Sequence, residues 1–266
     1  MAGQQEYSPS FTQGFARSAG ESEHPGLWQG LTAAWAPELG RTGSVVFDWA
    51  GRRLHGQRVA SLWDIDATGV ALAFAGTGSF VSLPSRLPFS KNAYTYSLRV
   101  YATSNSSDQW LVSDHYSAAN NHGRGLSYGG DMAIITIRHG NAITAISTGI
   151  VSLRAWHHVV ATYDGGSVTI WIDGRRNVTQ TAVATDPEAG AMSYLGAMSP
   201  GASLFLGKLG SVLSYSRVLS DNEIRQLYLD PTAPFRLRRT TGRSSRLQRP
   251  RAAYRRTLAS VYGVSP

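Results

Sequence analysis

The chain has 266 residues, of which 42% are apolar, and carries a formal net charge of +8. It contains no cysteine, which excludes a disulfide framework and thiolate metal sites. No stretch approaches the roughly 20 apolar residues of a membrane helix, and residues 1–25 lack the basic and apolar regions of a secretory signal. We therefore expect a protein that is not embedded in a membrane and that is made and used without Sec-dependent export.

The positive charge is concentrated near the C-terminus. Nine arginines lie between residues 236 and 256, and no acidic residue follows Asp230. The other 16 basic residues share residues 1–235 with all 17 acidic ones. The main part of the chain is therefore nearly neutral, and its composition does not indicate nucleic-acid binding.

Residues 1–25 are polar and contain scattered Gly, Ser and Pro, which predicts an extended N-terminal arm. Residues 26–231 contain short alternating apolar runs separated by Gly, Asn, Asp and Ser, which is typical of many short strands. Residues 131–148 predict a hairpin with His-Gly-Asn at its tip. Residues 156–174 predict two strands joined by an Asp-Gly-Gly turn. Because each strand offers one face to a core, residues 26–231 predict an all-β antiparallel sandwich.

One helix is predicted at "SDNEIRQLY", which begins at Ser220. Ser220 is a good N-cap, and Glu223 completes a capping box with it. Ile224, Leu227 and Tyr228 then fall on one helix face. We expect this helix to pack over one end of the sandwich.

Residues 232–266 form an arginine-rich C-terminal tail. Its first half has no apolar period, so we do not expect it to fold alone. Further on, Tyr254, Leu258, Val261 and Tyr262 recur at i, i+4, i+7 and i+8, which predicts a short amphipathic helix. A helix of about 12 residues is marginal in isolation, so its apolar stripe needs a surface to cover it.

Three stretches carry a resemblance to a known family. Residues 156–174, "WHHVVATYDGGSVTIWIDG", resemble the hallmark Trp-His strand, Tyr-Asp-Gly turn and Asp-Gly-ended strand of laminin-G-like, concanavalin-A-like jelly rolls. Residues 47–56, "FDWAGRRLHG", are similar to an early segment of that family, and residues 206–228 to its closing strand and capped helix. The resemblance covers roughly residues 27–230 and implies two stacked curved sheets. Residues 228–239 are also similar to the ends of laminin-G-like proteins from tailed phages and environmental bacteria.

The fold includes glycoside hydrolases, whose chemistry this sequence does not match. They need two carboxylates flanking the scissile bond, which the resemblance would place in a Glu-x-Asp-x-x-Glu pattern. The chain has six glutamates, and none shares a strand with a second acid at alternate spacing. Asp64 and Asp66 share a strand face but have no glutamate in register. A Ser-His-Asp group cannot be recognised without strand geometry. We therefore predict that the protein is not an enzyme.

Polar side chains gather in one predicted loop. Amide, imidazole and carboxylate groups in a loop suit the binding of a sugar or a cation. The loop residues concerned are Asp114, His115, Asn120, Asn121 and His122. Together with Asp48 of the early segment, they form our candidate rim for a glycan or a cation.

The resemblance also raises a calcium site, because many laminin-G-like domains hold Ca²⁺ at the rim of the sandwich. In that family, acids commonly follow the Gly-x-Ile of the closing strand, whereas this chain has Gly210 and Ser211. Asp48 remains, but one carboxylate is a poor calcium site. We expect no metal and no cofactor, with Ca²⁺ kept as the alternative. We expect Asp48 and Asp173 to accept backbone N–H groups in turns instead.

The tryptophans offer a further route to sugar binding. Trp156 and Trp171 belong to the hallmark hairpin, and we expect both in the core. The other five lie near predicted strand ends, where a ring can stack on a sugar. They are Trp28, Trp35, Trp49, Trp63 and Trp110.

The tail predicts a partner, because arginine suits bidentate pairing with carboxylates or phosphates at a buried contact. We expect a protein partner that supplies acidic side chains. The apolar stripe of Tyr254, Leu258, Val261 and Tyr262 should be buried in the same contact. The arginines that we expect to pair are Arg236, Arg238, Arg239, Arg243, Arg246, Arg249 and Arg251.

Together these features predict a non-enzymatic structural protein, a multi-copy or homo-oligomeric jelly roll anchored by its termini to protein subunits of a larger assembly. The phage-like ending indicates a virion component, such as a capsid decoration protein, which can also bind glycans. One alternative is a carbohydrate-binding, lectin-like module of a bacterial surface protein. A second is a nucleic-acid-associated protein. It ranks last, because the tail has no interleaved aromatic residues before Tyr254.

Overall fold

A computed structural model of the protein describes residues 14–238, apart from 67–68, 85–86, 89, 107, 118, 130–133, 141 and 149–150. Its sixteen strands form two eight-stranded sheets with antiparallel neighbours. The sheets share one hydrophobic core, so the predicted all-β jelly-roll sandwich is confirmed.

Sheet 1 has the closing strand of the chain near its centre. Its strands, in spatial order, are β14 (Arg175–Thr181), β13 (Ser167–Ile172), β12 (Trp156–Tyr163), β7 (Tyr94–Ala102), β16 (Leu206–Tyr215), β5 (Gly69–Ala75) and β4 (Leu62–Asp66), with β1 (Leu31–Trp35) paired to β16. β1 and β5 use different halves of β16, since β5 pairs with residues 206–209 and β1 with residues 212–215.

Sheet 2 is built around a hairpin of long strands. In spatial order it contains β11 (Ala142–Ile146), β10 (Ile134–His139), β9 (His122–Gly129), β8 (Gln109–Ser117), β15 (Ser193–Leu195), β6 (Phe80–Leu83), β3 (Gly56–Val59) and β2 (Val45–Val46). The predicted hairpins are present as the pairs β10–β11 and β12–β13.

The main core lies between the two sheets. Alternate residues of each strand fill it, such as Leu98 and Val100 of β7 from sheet 1 and Leu126 and Tyr128 of β9 from sheet 2, all at most 1% exposed. The period-two alternation of the sequence therefore determines which residues face inward.

A second core covers part of the outer face of sheet 1. Helix α1 (Asp221–Leu229) begins with the predicted capping box of Ser220 and Glu223. Its residues Ile224 and Leu227 are fully buried against the sheet, with Trp171 among their neighbours. The helix thus covers a sheet face rather than one end of the sandwich, because sheet 1 is apolar on both sides there.

The first and last described segments are held together. Residues 14–16 lie on one side of residues 234–238, where the Ala16 N–H donates to the Phe235 carbonyl at 2.9 Å. Residues 21–23 pair on the other side, where the Arg238 N–H donates to the Glu21 carbonyl at 2.7 Å. We call this arrangement the terminal clasp. Through the clasp, the packed structure extends beyond residues 26–231, the predicted bounds of the domain, at both ends.

None of the helices among the described residues is long and apolar enough to cross a membrane.

Replacing Ile224 with Ala should lower the free energy of unfolding by about 2–5 kcal/mol, because it opens a cavity under the helix. Leu229 is on the same helix and is 74% exposed, so Leu229→Ala should change it by less than about 0.5 kcal/mol. Denaturant unfolding of both variants measures the difference. Equal effects would show that the helix does not close a core.

Candidate functional site

The end of the β8–β9 hairpin brings polar side chains together at one edge of the sandwich. Asn120 Nδ2 donates to Glu188 Oε2 at 2.9 Å, and His122 Nδ1 lies 3.0 Å from the same oxygen. The His122 and Glu188 side chains are 40% and 22% exposed. The structure therefore unites two predicted residues, Asn120 and His122, with a glutamate that sequence reasoning missed. Asn121 lies beside them in the turn, with a φ of 57°.

A second ion pair extends this surface. Lys91 Nζ lies 2.7 Å from Asp186 Oδ1, and both side chains are about half exposed. The Lys91 hydrogen bond and charge lower the pKa of Asp186. The Asp186 carbonyl accepts the Gly123 N–H at 2.6 Å, which joins this pair to the hairpin. We define the rim cluster as Lys91, Asn120, His122, Asp186 and Glu188.

Asp114 and His115 lie beneath the rim cluster, in β8, and not in the predicted loop. Asp114 is 3% exposed. Arg124 of β9 binds its Oδ2 through Nε at 2.9 Å and Nη2 at 2.8 Å, and the Tyr96 hydroxyl donates to the same oxygen. Oδ1 accepts from His115 Nδ1 at 2.8 Å and from Ser193 Oγ at 3.2 Å. These hydrogen bonds compensate the carboxylate for the loss of water on burial.

The Asp114–Arg124 pair is charged although it is buried. Burial alone would raise the pKa of Asp114, but the Arg124 guanidinium and the His115 and Tyr96 hydrogen bonds outweigh it and hold the pKa at about 2. The pKa of Arg124 is raised above its usual value, because nearby Tyr96 and Asp114 outweigh the effect of its own burial. Removing one partner would leave the other charge buried and unpaired, which costs about 3–5 kcal/mol.

The buried pair supports the segments that carry the rim cluster. Arg124 Nη1 donates to the Ser90 carbonyl at 2.9 Å, directly before Lys91. The His115 carbonyl accepts the Glu188 N–H at 3.0 Å. Arg124 itself is two residues from His122 along β9. The segments of the rim cluster are therefore joined by hydrogen bonds to the buried network of Asp114, His115 and Arg124, which we call the polar base.

Aromatic side chains complete this base. The Arg124 guanidinium carbon lies 4.1 Å from the ring centre of Tyr94. The Tyr94 hydroxyl is 2.7 Å from His139 Nε2, and His139 Nδ1 is 3.0 Å from the Val183 carbonyl. Because a carbonyl can only accept, Nδ1 carries the proton and Nε2 accepts from Tyr94. Burial lowers the pKa of His139 to about 4. The Arg124 charge also lowers this pKa, whereas the Val183 hydrogen bond raises it.

Asp48 lies away from the rim cluster and stabilises a turn. Its carboxylate is 3% exposed. Oδ1 accepts the N–H groups of Ala34 and Ala50, both at 3.0 Å. Oδ2 accepts those of Arg52 and Leu54, both at 3.1 Å. These bonds leave it no role in a shared rim site. Within the described ranges, no group of three or more His, Asp or Glu side chains is placed to hold a metal ion.

A Ser-His-Asp arrangement appears at the start of β12. Ser152 Oγ lies 2.8 Å from His157 Nε2, and His157 Nδ1 lies 2.8 Å from Asp173 Oδ2. Asp173 Oδ1 also accepts the N–H of His158 at 2.9 Å, so this carboxylate binds the backbone as expected. These contacts join the segment before β12 to the turn between β13 and β14.

The tryptophans proposed to stack on sugars are instead buried in the fold, or are half-buried and contact other parts of the chain. Trp35 and Trp110 are each 2% exposed. Trp28 and Trp63 are half-buried, and their indole N–H groups donate to carbonyls of the chain. Trp49 is half-buried against Phe15.

With this geometry, the chain can be compared with known proteins. A sequence model of the laminin G family, described as the concanavalin A-like lectin/glucanases superfamily, matches residues 75–225. The chain belongs to this family. The resemblance noted in the sequence is thereby confirmed. A search of curated protein sequences found no match.

Solved structures share this laminin-G-like fold. Domain 4 of AbnA, a GH43 extracellular arabinanase from Geobacillus stearothermophilus in complex with arabinotriose, matches with a TM-score of 0.60 and 17% identity, over 74% of this chain and 98% of that domain. The binding domain of Paraclostridial Mosquitocidal Protein 1 gives 0.58 and 13%, over 76% and 52%. A Trypanosoma rangeli sialidase in complex with sialic acid gives 0.54 and 21%, over 76% of this chain and 33% of the sialidase. At these identities, the likeness establishes the fold alone.

Folding stability should fall as the pH drops from about 6.5 to 4, because His139 and His158 are buried. Burial is the main cause that lowers the pKa of each to about 4. In this window both histidines are protonated in the unfolded chain, where their pKa is about 6.5, but stay neutral in the folded chain. Lowering the pH therefore favours the unfolded chain. His139→Gln and His158→Gln should each flatten the decline, and the double variant should flatten it further. Chemical unfolding across this pH range measures the slopes, and unchanged slopes would contradict the assignment.

Proposed function

We propose that this laminin-G-like chain is a non-enzymatic, carbohydrate-binding module whose rim cluster contacts the sugar. The observation that carries the proposal is the buried Asp114–Arg124 pair. Arg124 bonds the Ser90 carbonyl directly before Lys91, and His115, next to Asp114, bonds the Glu188 N–H through its carbonyl. Sites that need defined geometry are built on side chains and backbone that cannot shift. A surface of this kind can present fixed polar groups to a ligand.

The chemistry of the rim cluster suits a sugar. Hydroxyl groups both donate and accept hydrogen bonds. Asp186 and Glu188 can accept, Lys91 can donate, and the amide of Asn120 and the imidazole of His122 can do either. The cluster mixes both signs of charge, which favours a neutral or weakly charged glycan over a polyanion such as a nucleic acid.

The comparisons support the choice of ligand class to test. The family is described as lectins and glucanases, and the similar AbnA domain was solved in complex with arabinotriose. These are properties of other proteins, and they supply arabinotriose as a probe.

We further propose that the termini attach the module to protein subunits of a larger assembly, such as a phage virion. The terminal clasp supports this proposal, since it places Gly14 against Leu237 and so brings both described ends together. Arg236 is paired with Asp230 of its own chain, and Arg238 joins the clasp through its backbone. The other anchoring residues, Arg239, Arg243, Arg246, Arg249, Arg251, Tyr254, Leu258, Val261 and Tyr262, lie outside the described residues. A bacterial surface protein remains the alternative setting.

Binding of glycans should depend on the rim cluster. Glu188→Gln should weaken binding about tenfold, because hydrogen bonds to a charged group contribute about 1.5–3 kcal/mol. Asp221→Asn is the matched control, because Asp221 is an acid of the helix surface with a 74% exposed side chain. A glycan array followed by calorimetry on the best ligand, with arabinotriose included, measures the effect. Wild-type affinity in Glu188→Gln would contradict the placement of the site.

The protein should show no hydrolase activity, including at Ser152. The hydrogen bonds of His157 and Asp173 join two segments of the fold, and we propose that they serve structure alone. Incubation with a fluorophosphonate probe should leave Ser152 unlabelled, and arabinan and acyl-ester substrates should remain intact. Labelling that Ser152→Ala abolishes would show that the arrangement is a catalytic triad.

Deleting residues 239–266 should leave a folded module that no longer joins its assembly. Four buried apolar side chains at about 1.5–3 kcal/mol each would dominate the contact, whereas exposed arginine pairs add about 0–1 kcal/mol each. Leu258→Asp should therefore approach the effect of the deletion, while single Arg→Ala changes should do little. Co-sedimentation with assembled particles measures incorporation. Normal incorporation of the shortened chain would refute anchoring, and selective loss of DNA or RNA binding would favour the nucleic-acid alternative.

A further inference from the structure

The outer face of sheet 1 has a half that the helix and the second core do not cover. One row of paired residues crosses five strands there. In spatial order the row is Trp156 of β12, Tyr101 of β7, Lys208 of β16, Ala73 of β5 and Leu62 of β4. Among the residues flanking them along the strands, Val100, Leu209 and Leu72 are at most 1% exposed and belong to the main core. The row therefore points outward, and with a strand spacing of about 4.8 Å it is about 19 Å long. We call it the outer-face platform.

Two aromatic rings form one end of the platform. The ring centres of Tyr101 and Trp156 are 5.5 Å apart, and the ring planes meet at 55°. Both residues are half-buried, so each ring is held by the sheet and still reaches the surface. The expectation that Trp156 lies in the core is therefore corrected: its strand position faces outward, and none of the described helices covers it. The Arg99 guanidinium carbon lies over the Trp156 ring, 4.2 Å from its centre, and so contacts one face of the ring.

The other end of the platform is stepped. Ala73 has only a methyl group and is half-buried between Lys208 and Leu62. Leu62 is 66% exposed. The side chains at the two ends of the row, the rings and Leu62, are therefore larger than the methyl group of Ala73 between them. This difference leaves space for a ligand residue above Ala73.

The charges around the platform compensate each other. Arg99 Nη1 lies 3.6 Å from Glu38 Oε1, and Lys208 Nζ pairs with Asp64 Oδ2. Glu38 is fixed in turn, because it accepts the N–H of Ser211 at 2.9 Å and its hydroxyl at 2.7 Å. Two cations and two carboxylates leave no net charge to attract a polyanion or a polycation. They do offer donors and acceptors along the row.

We propose that the outer-face platform binds an extended, neutral oligosaccharide, as a second site separate from the rim cluster. Sugar rings have an apolar face of C–H groups, which can lie on Trp156 and Tyr101, and hydroxyls, which can bond to the paired charged groups beside them. The length of the row matches several sugar residues in line. The inference rests on the proposed function in taking the ligand to be a carbohydrate, and it assigns the aromatic contacts that the rim cluster lacks.

The test compares platform variants with a rim variant in the full chain. Trp156→Ala and Tyr101→Ala remove the rings, and Ala73→Arg fills the space above this position without removing a packed group. Trp156→Phe keeps a ring and serves as the conservative variant. Tyr194→Ala is the matched control, because Tyr194 is a half-buried tyrosine on sheet 2 with an edge-on aromatic neighbour. The probes are linear arabino-, xylo- and gluco-oligosaccharides, measured by calorimetry and tryptophan fluorescence. Circular dichroism melting confirms that each variant is folded.

We expect Trp156→Ala, Tyr101→Ala and Ala73→Arg each to weaken binding of the longer oligosaccharides about tenfold. Trp156→Phe should retain most of the affinity, and Tyr194→Ala should match the wild type. Binding that Glu188→Gln reduces but the three platform variants leave unchanged would overturn the platform and keep the proposed function. No binding to any probe would overturn both. If Ala73→Arg instead converts a dimer of the chain to a monomer without affecting glycan binding, the face is an interface between copies, and the inference fails.

Discussion

The buried pair of Asp114 and Arg124 is the interaction on which this end of the molecule depends. Its partners come from both sheets, since Tyr96 lies on β7 of sheet 1 whereas Ser193 lies on β15 of sheet 2. The two charges lie on neighbouring strands of sheet 2, so sliding of the sheets at this end would keep them paired but would break the hydrogen bonds that the Tyr96 hydroxyl makes with Asp114 and Arg124. A small sandwich held by apolar contacts alone would have no such restriction, because those contacts are not directional. Through Tyr96, the pair thus links the two sheets at the end that carries the rim cluster.

Sheet 1 serves different purposes on its outer face over a short distance. Along β12, Trp156 is half-exposed, His158 is buried against the ring of Tyr228, and Val160 lies under the helix. These three residues follow one another at intervals of two, so they share a face of one strand. Burial thus increases along β12 from Trp156 to Val160, because helix α1 covers only the second part of this strand. A sheet that is apolar on both sides at one end and aromatic at the other can hold helix α1 and still present a surface that this helix does not cover.

The elements of the fold could be predicted because their signals are local. Alternation identified the strands, and Ser220 with Glu223 identified the start of the helix. The position of Asp114 could not be predicted from its polar neighbours, because its burial depends on Tyr96 in the other sheet. One signal was available: Arg124 occupies the same alternating positions as Leu126 and Tyr128, which face the core. An arginine in phase with core residues indicates a buried acidic partner.

The contribution of Glu188 to the rim cluster was beyond sequence reasoning, since it comes from a connection 66 residues after His122. The misplacement of Trp156 has a different origin. Alternation shows that two faces of a strand differ, but it does not show which face another element will cover. Only the tertiary position of the helix decides whether an outward ring is buried or remains at the surface.

The terminal clasp has a mechanical consequence. Residues 234–238 run between two parts of the N-terminal segment, and the Trp28 indole N–H holds the Pro234 carbonyl at 2.6 Å. A force applied to the chain beyond Leu237 is therefore passed to residues 14–23 and to Trp28 before it reaches any strand of the sandwich. The clasp can therefore bear load at this end of the described chain while the two sheets, and the surfaces that they carry, keep their shape.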